Sequence, residues 1–374
     1  MQPHAGAPVS AGIESSTAAG TDRRPDGGGT GAGAKVRVGI VGATGYVGAE
    51  LIRLLSRHPA VEIVGLQGRD RHESVGASHP QLSGTGLSVE AELPAVDAVF
   101  LALPHGTSAA MARRFVDAGT AVIDLGPDFR LDDVDDYPRW YGFTHPEPAL
   151  LDRSVYGLPE LHRDRLMALR TADVAIVGNP GCYPTATLLA LAPLARAGLI
   201  DDVVIDAKSG VSGAGRDAKA DLMFGEVNES VKAYGIGGHR HVAEIEQELK
   251  DLGTDLGPID FLPHLIPMTR GILSAGHVRP SHQTSQAELD ELYTAAYADE
   301  PFVTVVADAP ATKHVLGSNH ARVFVRLDER TGRILAIGVI DNLVKGAAGQ
   351  AVQCFNLVHG LPETSGLEQL PLVP

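Results

Sequence analysis

Three glycines spaced by two residues, in Gly42-Ala43-Thr44-Gly45-Tyr46-Val47-Gly48, stand between a short apolar run (35–41) and a segment of helical apolar spacing that continues to Arg57. Strand, glycine-rich turn and helix in that order constrain this chain more than any other feature. The glycines permit a tight turn and close backbone approach, and the N–H groups at the start of the helix suit a pyrophosphate. The spacing departs from G-x-G-x-x-G, so its weight comes from its place at the first strand–helix junction. A dinucleotide site and a structural turn of an unrelated α/β protein both remain open on these residues. Val47, Leu51, Leu54 and Leu55 share one helix face, and His58-Pro59 ends the helix.

The alternation continues. Residues 61–66, 98–103, 120–125 and 174–177 read as strands, with a helix over 107–118. This predicts a Rossmann-type, doubly wound parallel sheet over residues 35–181. From Cys182 the grammar changes to one helix (182–197) and then strands at 203–207, 259–266, 271–278, 302–306, 321–327 and 334–340, with one clear helix over 283–298. That pattern predicts an α+β domain with a mainly antiparallel sheet over 182–341. A last helix, 345–358, is expected to dock back on the first domain as part of residues 342–374. A chain of 374 residues suits two domains, and its apolar content leans on Ala, Val and Leu with only 5% aromatics. Such a composition favours sheets covered by helices over an aromatic-rich sandwich.

Residues 1–34, rich in Gly, Ala, Ser and Pro without periodicity, read as a disordered tail. Arg23-Arg24 is followed by Pro25-Asp26-Gly27 where a twin-arginine signal needs an apolar region, so no export signal is expected. No apolar run approaches the ~20 residues of a membrane span. A formal charge of −15 repels nucleic acid and anionic membranes, and no basic run offsets it. Cys182 and Cys354 are the only cysteines, which excludes a disulfide framework. The expectation is a cytoplasmic protein acting on a small molecule.

Two positions bear on chemistry. The second strand ends Leu66-Gln67-Gly68-Arg69 with no acid before Asp70, where an NAD site usually places a carboxylate on the ribose diol. Arg69 can pair with a 2′-phosphate, which favours NADP(H); its alternative is a solvated loop arginine. In Asn179-Pro180-Gly181-Cys182-Tyr183-Pro184-Thr185 a cysteine stands at a strand-to-helix junction. The helix N-terminus is expected to lower its pKa and raise its nucleophilicity, with a structural thiol as the alternative. Cys354, mid-helix, reads as an inert core thiol.

The glycine loop, the cysteine loop, Gly237-Gly238-His239-Arg240-His241 and Asp341-Asn342-Leu343-Val344-Lys345-Gly346-Ala347-Ala348-Gly349-Gln350 occur in that order. Together they resemble the N-acetyl-γ-glutamyl-phosphate reductases, the arginine-pathway branch of the aspartate-semialdehyde dehydrogenase-like group. The resemblance covers the chain from Lys35 onward and leaves the glycine-rich head outside it. It implies an NADPH-dependent reduction of N-acetyl-L-glutamyl 5-phosphate, an acyl phosphate, through a thioester on Cys182. Aspartate-semialdehyde dehydrogenase and aminoadipyl-phosphate reductase are the enzymatic alternatives, and an NADP-binding regulator the non-enzymatic one. The regulator should lack the nucleophile or base, and this chain carries candidates for both.

By motif position His241 is the expected acid/base, since imidazole titrates near neutrality, with His239 as competitor and substrate-binding candidate. A His-x-His metal site lacks further ligands nearby, so no metal is expected. Arg130, in Asp124-Leu125-Gly126-Pro127-Asp128-Phe129-Arg130, follows a strand end and offers a fork to phosphate oxygens; an ion pair with Asp128 or Asp132 is its alternative. The resemblance adds Asn179 to the substrate site. It also brings Ser209 and Gly210 to the nicotinamide, with Asn342 and Gly346 returning to the same cofactor. Lys345 reads equally well as an ordinary residue at a helix start. Pairing of second-domain sheets into a homodimer or homotetramer is expected.

Overall fold

The computed structural model describes residues 34–69, 73–254 and 256–373, so nearly all of the predicted tail and Asp70 lie outside the described residues. Seven strands form a wholly parallel first sheet: β1 (Val36–Val41), β2 (Val61–Gln67), β3 (Val89–Glu90), β4 (Ala98–Leu101), β5 (Ala121–Asp124), β6 (Ser154–Tyr156) and β7 (Ile176–Gly178). Their order is β3-β2-β1-β4-β5-β7-β6. From Val38 to Val41, past the exposed Arg37, β1 carries no polar side chain because both its faces are covered there: Val38 and Ile40 join one core, and Val41 joins another with Val99, Leu101 and Val122. The chain leaves β1 toward β2 on one side and returns at β4 on the other. That reversal opens a crevice at the strand C-termini, where the 42–48 loop lies.

The second sheet contains β8 (Ile200–Ser209), β9 (Lys232–Ala233), β10 (Asp260–Leu265), β11 (Ile272–Pro280), β12 (Val303–Val305), β13 (Ala321–Asp328) and β14 (Arg333–Ile340), ordered β12-β13-β14-β11-β8-β10-β9. Its centre is antiparallel, as predicted, but β8–β10 and β12–β13 pair in parallel. The helix Cys182–Arg196 packs on this sheet, with every residue from Tyr183 to Ala195 buried. Gly338 lets it approach, since a Cβ there would lie 2.0 Å from the Ala186 carbonyl oxygen. An all-round apolar helix of this kind must be covered on all sides. The helix His241–Asp251 supplies part of that cover, burying Val242, Ile245 and Leu249. Sequence reasoning missed this helix because its other face is charged.

After β14 the expected helix start is a π-helical turn, Val344–Ala348, followed by the α-helix Gly349–Val358. Val344, Ala348, Ala351, Val352 and Phe355 complete the core of the first sheet. Lys345 is fully buried, its Nζ 2.6 Å from Glu160 Oε1 and 2.7 Å from Gln353 Oε1, which replaces the reading of an ordinary helix-start residue. Both sheets belong to one compact unit beginning at Lys35. Among the described residues no helix is long and apolar enough to cross a membrane.

Candidate active site

The 42–48 loop closes on the backbone. Gly42 has φ +87°, and a Cβ there would lie 2.2 Å from the Ala102 carbonyl oxygen; at Gly48 it would lie 2.3 Å from the Gly42 carbonyl oxygen. Ala43 N–H is spent on the Gln67 carbonyl. No side chain caps the helix Tyr46–Leu55 at Gly45, so its first-turn N–H groups face the crevice unpaired within the helix. A cavity of about 430 Å³ adjoins the loop, lined by Tyr46, Ser212, Arg216, Lys219, Arg270 and Leu343 among others. The residues therefore fit a dinucleotide: a glycine cradle, open N–H donors and cationic walls.

Residues from the second sheet close over this loop. Arg216 donates to the carbonyls of Thr44 and Ser78, both at 3.0 Å. Arg69 Nη1 pairs at 3.0 Å with Oδ1 of Asp217, a residue that lines the cavity, both side chains being exposed. Ser209 is buried and bonds the Gly210 carbonyl, while Gly210 packs on residues 268–270. Asn342 does not point freely into the cavity. Its Oδ1 accepts from Gly271 N–H at 2.8 Å and its Nδ2 donates to Ser212 Oγ at 3.0 Å, so it ties down the loop after β8. Gly346 lies behind the nucleophile, where a Cβ would come within 2.8 Å of Cys182 Cβ.

Cys182 is the first residue of its helix, a free and partly exposed thiol. Burial pushes it up to about 11, against the lowering effects of the Arg130 charge and the Tyr183 N–H. The expectation of a depressed pKa is therefore reversed in the free enzyme, because desolvation of the sulfur outweighs the helix N-terminus. Cys354 is buried, bonds the Gly157 carbonyl and is pushed up to about 12.

His241 opens the helix His241–Asp251, and its imidazole lies against Gly181: a Cβ there would be 2.6 Å from Nε2. Glycine before the cysteine is thus what admits the ring. Burial, the neighbouring His239 and the cations Arg130 and Arg240 hold His241 well below the usual histidine range, so it is neutral at pH 7. Its Nδ1 has no hydrogen-bond partner. His239 is brought to about 4 by burial and Arg240, and its Nδ1 accepts from His241 N–H at 3.2 Å. Tyr183, Tyr234 and Phe261 pack around its ring at 5.3 to 5.7 Å between centroids.

Glu244 joins these parts, and sequence reasoning did not single it out. Fully buried, it accepts from Gly181 N–H (2.8 Å), Tyr156 OH (3.0 Å), Tyr141 OH (3.0 Å) and Arg130 Nη1 (3.3 Å). Its Oε1 lies 4.0 Å from His241 Nε2. Arg130 is buried and pairs with Glu244 rather than with Asp128 or Asp132. Its Nε donates to the Asn179 carbonyl (2.7 Å) and its Nη2 to the Leu125 carbonyl (3.0 Å). Asn179 is buried, with Nδ2 3.4 Å from the Ala347 carbonyl and Oδ1 unpaired. Nothing local to Glu244 signals this role; the three-residue spacing from His241 on a helix is its one trace.

Comparison with other proteins places these features in context. Residues 37–169 match the family described as "Semialdehyde dehydrogenase, NAD binding domain", and residues 182–342 match "Semialdehyde dehydrogenase, dimerisation domain". The chain is 50% identical over 345 residues to the N-acetyl-γ-glutamyl-phosphate reductase of Symbiobacterium thermophilum, covering 89% of this chain and 97% of that protein. It is 48% identical over 355 residues to the protein of the same name from Heliobacterium modesticaldum, covering 91% and 100%. Among solved structures it is similar to aspartate semialdehyde dehydrogenase II of Vibrio cholerae complexed with ASA, at TM-score 0.65 and 20% identity over 87% of this chain and 98% of that one. It also resembles aspartate semialdehyde dehydrogenase with NADP from Candida albicans, at TM-score 0.63 and 17% identity over 87% and 98%. These two likenesses bear on the fold alone.

Proposed function

The chain belongs to the N-acetyl-γ-glutamyl-phosphate reductases, within the semialdehyde dehydrogenases, and from that premise we propose a mechanism for its residues. The protein is an oxidoreductase of arginine biosynthesis that reduces N-acetyl-L-glutamyl 5-phosphate to N-acetyl-L-glutamate 5-semialdehyde and phosphate. The observation that carries the mechanism is the convergence of Gly181, His241 and Arg130 on the single carboxylate of Glu244, next to Cys182.

Neutral His241 accepts the thiol proton as Cys182 Sγ bonds to the acyl carbon. The bond from that carbon to the phosphate oxygen breaks, and a thioester remains. The bound nicotinamide supplies the hydride that reduces this thioester. His241 returns its proton to the departing thiolate as the semialdehyde forms. Arg130 holds positive charge beside the sulfur and the phosphate, fixed by Glu244, while Asn179 and His239 shape the substrate pocket. Glu244 is a positioning residue, since its carboxylate is fully engaged by protein groups.

A nicotinamide dinucleotide is the cofactor. We take it to be NADP(H), cradled by Gly42, Ala43, Thr44, Gly45, Tyr46 and Val47, with Arg69 exchanging Asp217 for the 2′-phosphate. Gly42 and Ala43 already donate to the Gln67 carbonyl, so the helix start at Tyr46 and Val47 offers the N–H groups. Ser209 and Gly210 border the nicotinamide; Asn342 orders their loop, and Gly346 backs the reacting cysteine. In this division residues 35–181 bind the cofactor, 182–341 carry the catalytic groups, and 342–374 return to the first sheet. The match to a dimerisation domain supports an oligomer, which we take to be a homodimer or homotetramer. Two free thiols suit the cytoplasm.

Phosphate-dependent NADP⁺ reduction with N-acetylglutamate semialdehyde, run beside aspartate semialdehyde, tests the activity; preference for the latter would overturn it. Cys182→Ser should bind NADPH and lose turnover, and retained turnover would overturn the covalent route.

A further inference from the structure

The charges around Cys182 do not cancel. Arg130 and Glu244 form a buried pair, and all three Arg130 nitrogens already have protein acceptors. Arg240, one residue before His241, is exposed. Among the described residues its one side-chain contact is Nη1 to His105 Nδ1 at 3.5 Å, and no carboxylate pairs with it. His105 is brought to about 4 by burial, Arg240 and Arg130, so it is neutral and leaves the Arg240 charge uncompensated. Although exposed, Arg240 is crowded enough that burial and Arg130 lower its pKa, while Tyr141, Glu244 and Cys182 oppose them. Arg240 is the N-cap residue of the helix that His241 opens, and the His241 ring lies against Gly181, so the backbone of Arg240 is held beside the loop that carries Cys182. An unpaired cation there, in a chain of net charge −15, is a focus for an anion.

We infer that Arg240 is the residue that grips the phosphoryl group of the acyl phosphate, with Arg130 as the fixed charge behind it. The inference rests on the proposed reaction. In that substrate the phosphorus is two bonds from the carbon that Cys182 attacks, whereas the α-carboxylate carbon is four bonds away. A cation near the sulfur is thus placed for the phosphate. Arg240 also has all its donors but one open, where three of the five Arg130 N–H groups are already taken by protein acceptors.

The reverse reaction separates the two anions, because phosphate and semialdehyde enter as distinct substrates. Arg240→Met should raise the KM for phosphate at least about tenfold, the cost of a lost charge-assisted hydrogen bond. The KM for the semialdehyde should stay within about twofold, and Arg240→Lys should recover part of the loss. An unchanged phosphate KM, or an equal rise for the semialdehyde, would overturn the assignment. Absence of phosphate-dependent turnover in the wild type would instead sink the proposed reaction. Arg240 is then judged by inorganic phosphate alone, which should slow iodoacetamide labelling of Cys182 in the wild type and not in Arg240→Met. Equal protection in both proteins would refute its role.

Discussion

Replacing Glu244 with Gln removes one charge and keeps the shape. Four donors point at that carboxylate, so an amide must turn its NH2 toward at least one of them. Arg130 is left as a buried cation without a counter-ion, a loss of about 3–5 kcal/mol in folding stability. The thiol should respond in the other direction. Glu244 raises the Cys182 pKa, whose resting position is about 11. Loss of a nearby unit charge in an effective dielectric of about 20 is worth on the order of 1–2 kcal/mol, so the midpoint should fall by about one pH unit. The assay is the pH dependence of iodoacetamide labelling, read by mass spectrometry on the Cys182 peptide. Cys354 serves as the internal control, because it is buried and reacts only if the core opens. Glu244→Gln should label Cys182 faster at pH 8 with Cys354 still silent, while the chain melts earlier and turns over more slowly. A midpoint at or above the wild-type value, with stability unchanged, would refute Glu244 as the common anchor.

Other perturbations test separate parts. Lys345→Met strands the fully buried Glu160 carboxylate and should cost about 3–5 kcal/mol in urea unfolding, with Glu160→Gln in the same chain restoring part of it. Arg69→Ala should weaken NADPH binding in a fluorescence titration without weakening NADH binding. Because the Arg69–Asp217 pair is exposed, stability should hardly move. Burial and the Asp128 charge push Asp124 up to about 7 from an ordinary 3.8. Between those values the unfolded chain sheds a proton that the folded chain keeps, so stability falls as pH rises through the window. Melting temperatures of Asp124→Asn should therefore decline less than those of the wild type between pH 5 and pH 8.

The first sheet was legible because its strands are apolar on both faces and are punctuated by Gly, Pro and helical spacing. β3 and β6, only two and three residues long, carry no such period and were not seen. In the second sheet all strands but the two-residue β9 were legible, yet not every direction: β8 and β10 run parallel across a 50-residue excursion that no turn signal describes. The helix His241–Asp251 was hidden by Glu244, Glu246, Gln247, Glu248 and Lys250, which read as solvated loop yet include the buried carboxylate of the site. Local pattern singled out Cys182, His241 and Arg130, which the fold brings to one carboxylate or the residue beside it. It missed what holds them, because Glu244 meets its partners across 63, 88, 103 and 114 residues of chain.

The two cysteines show where residue-level reasoning expected a contrast in acidity that the structure places elsewhere. A helix start separated Cys182 from Cys354, and acidity was the expected consequence. At rest their pKa values, about 11 and about 12, differ little, because each sulfur is desolvated. The difference lies in what surrounds each thiol. Cys354 donates to a carbonyl in a sealed core. Cys182 is partly exposed, one residue after the glycine that the His241 ring lies against, and burial, His239 and two arginines keep that imidazole neutral. In the proposed reaction the thiol gives its proton to His241, where Glu244 at 4.0 Å would stabilise the imidazolium and the Arg130 charge the thiolate. Reactivity here is a property of the assembled pair rather than of the helix end, so it could not be read from Cys182 alone.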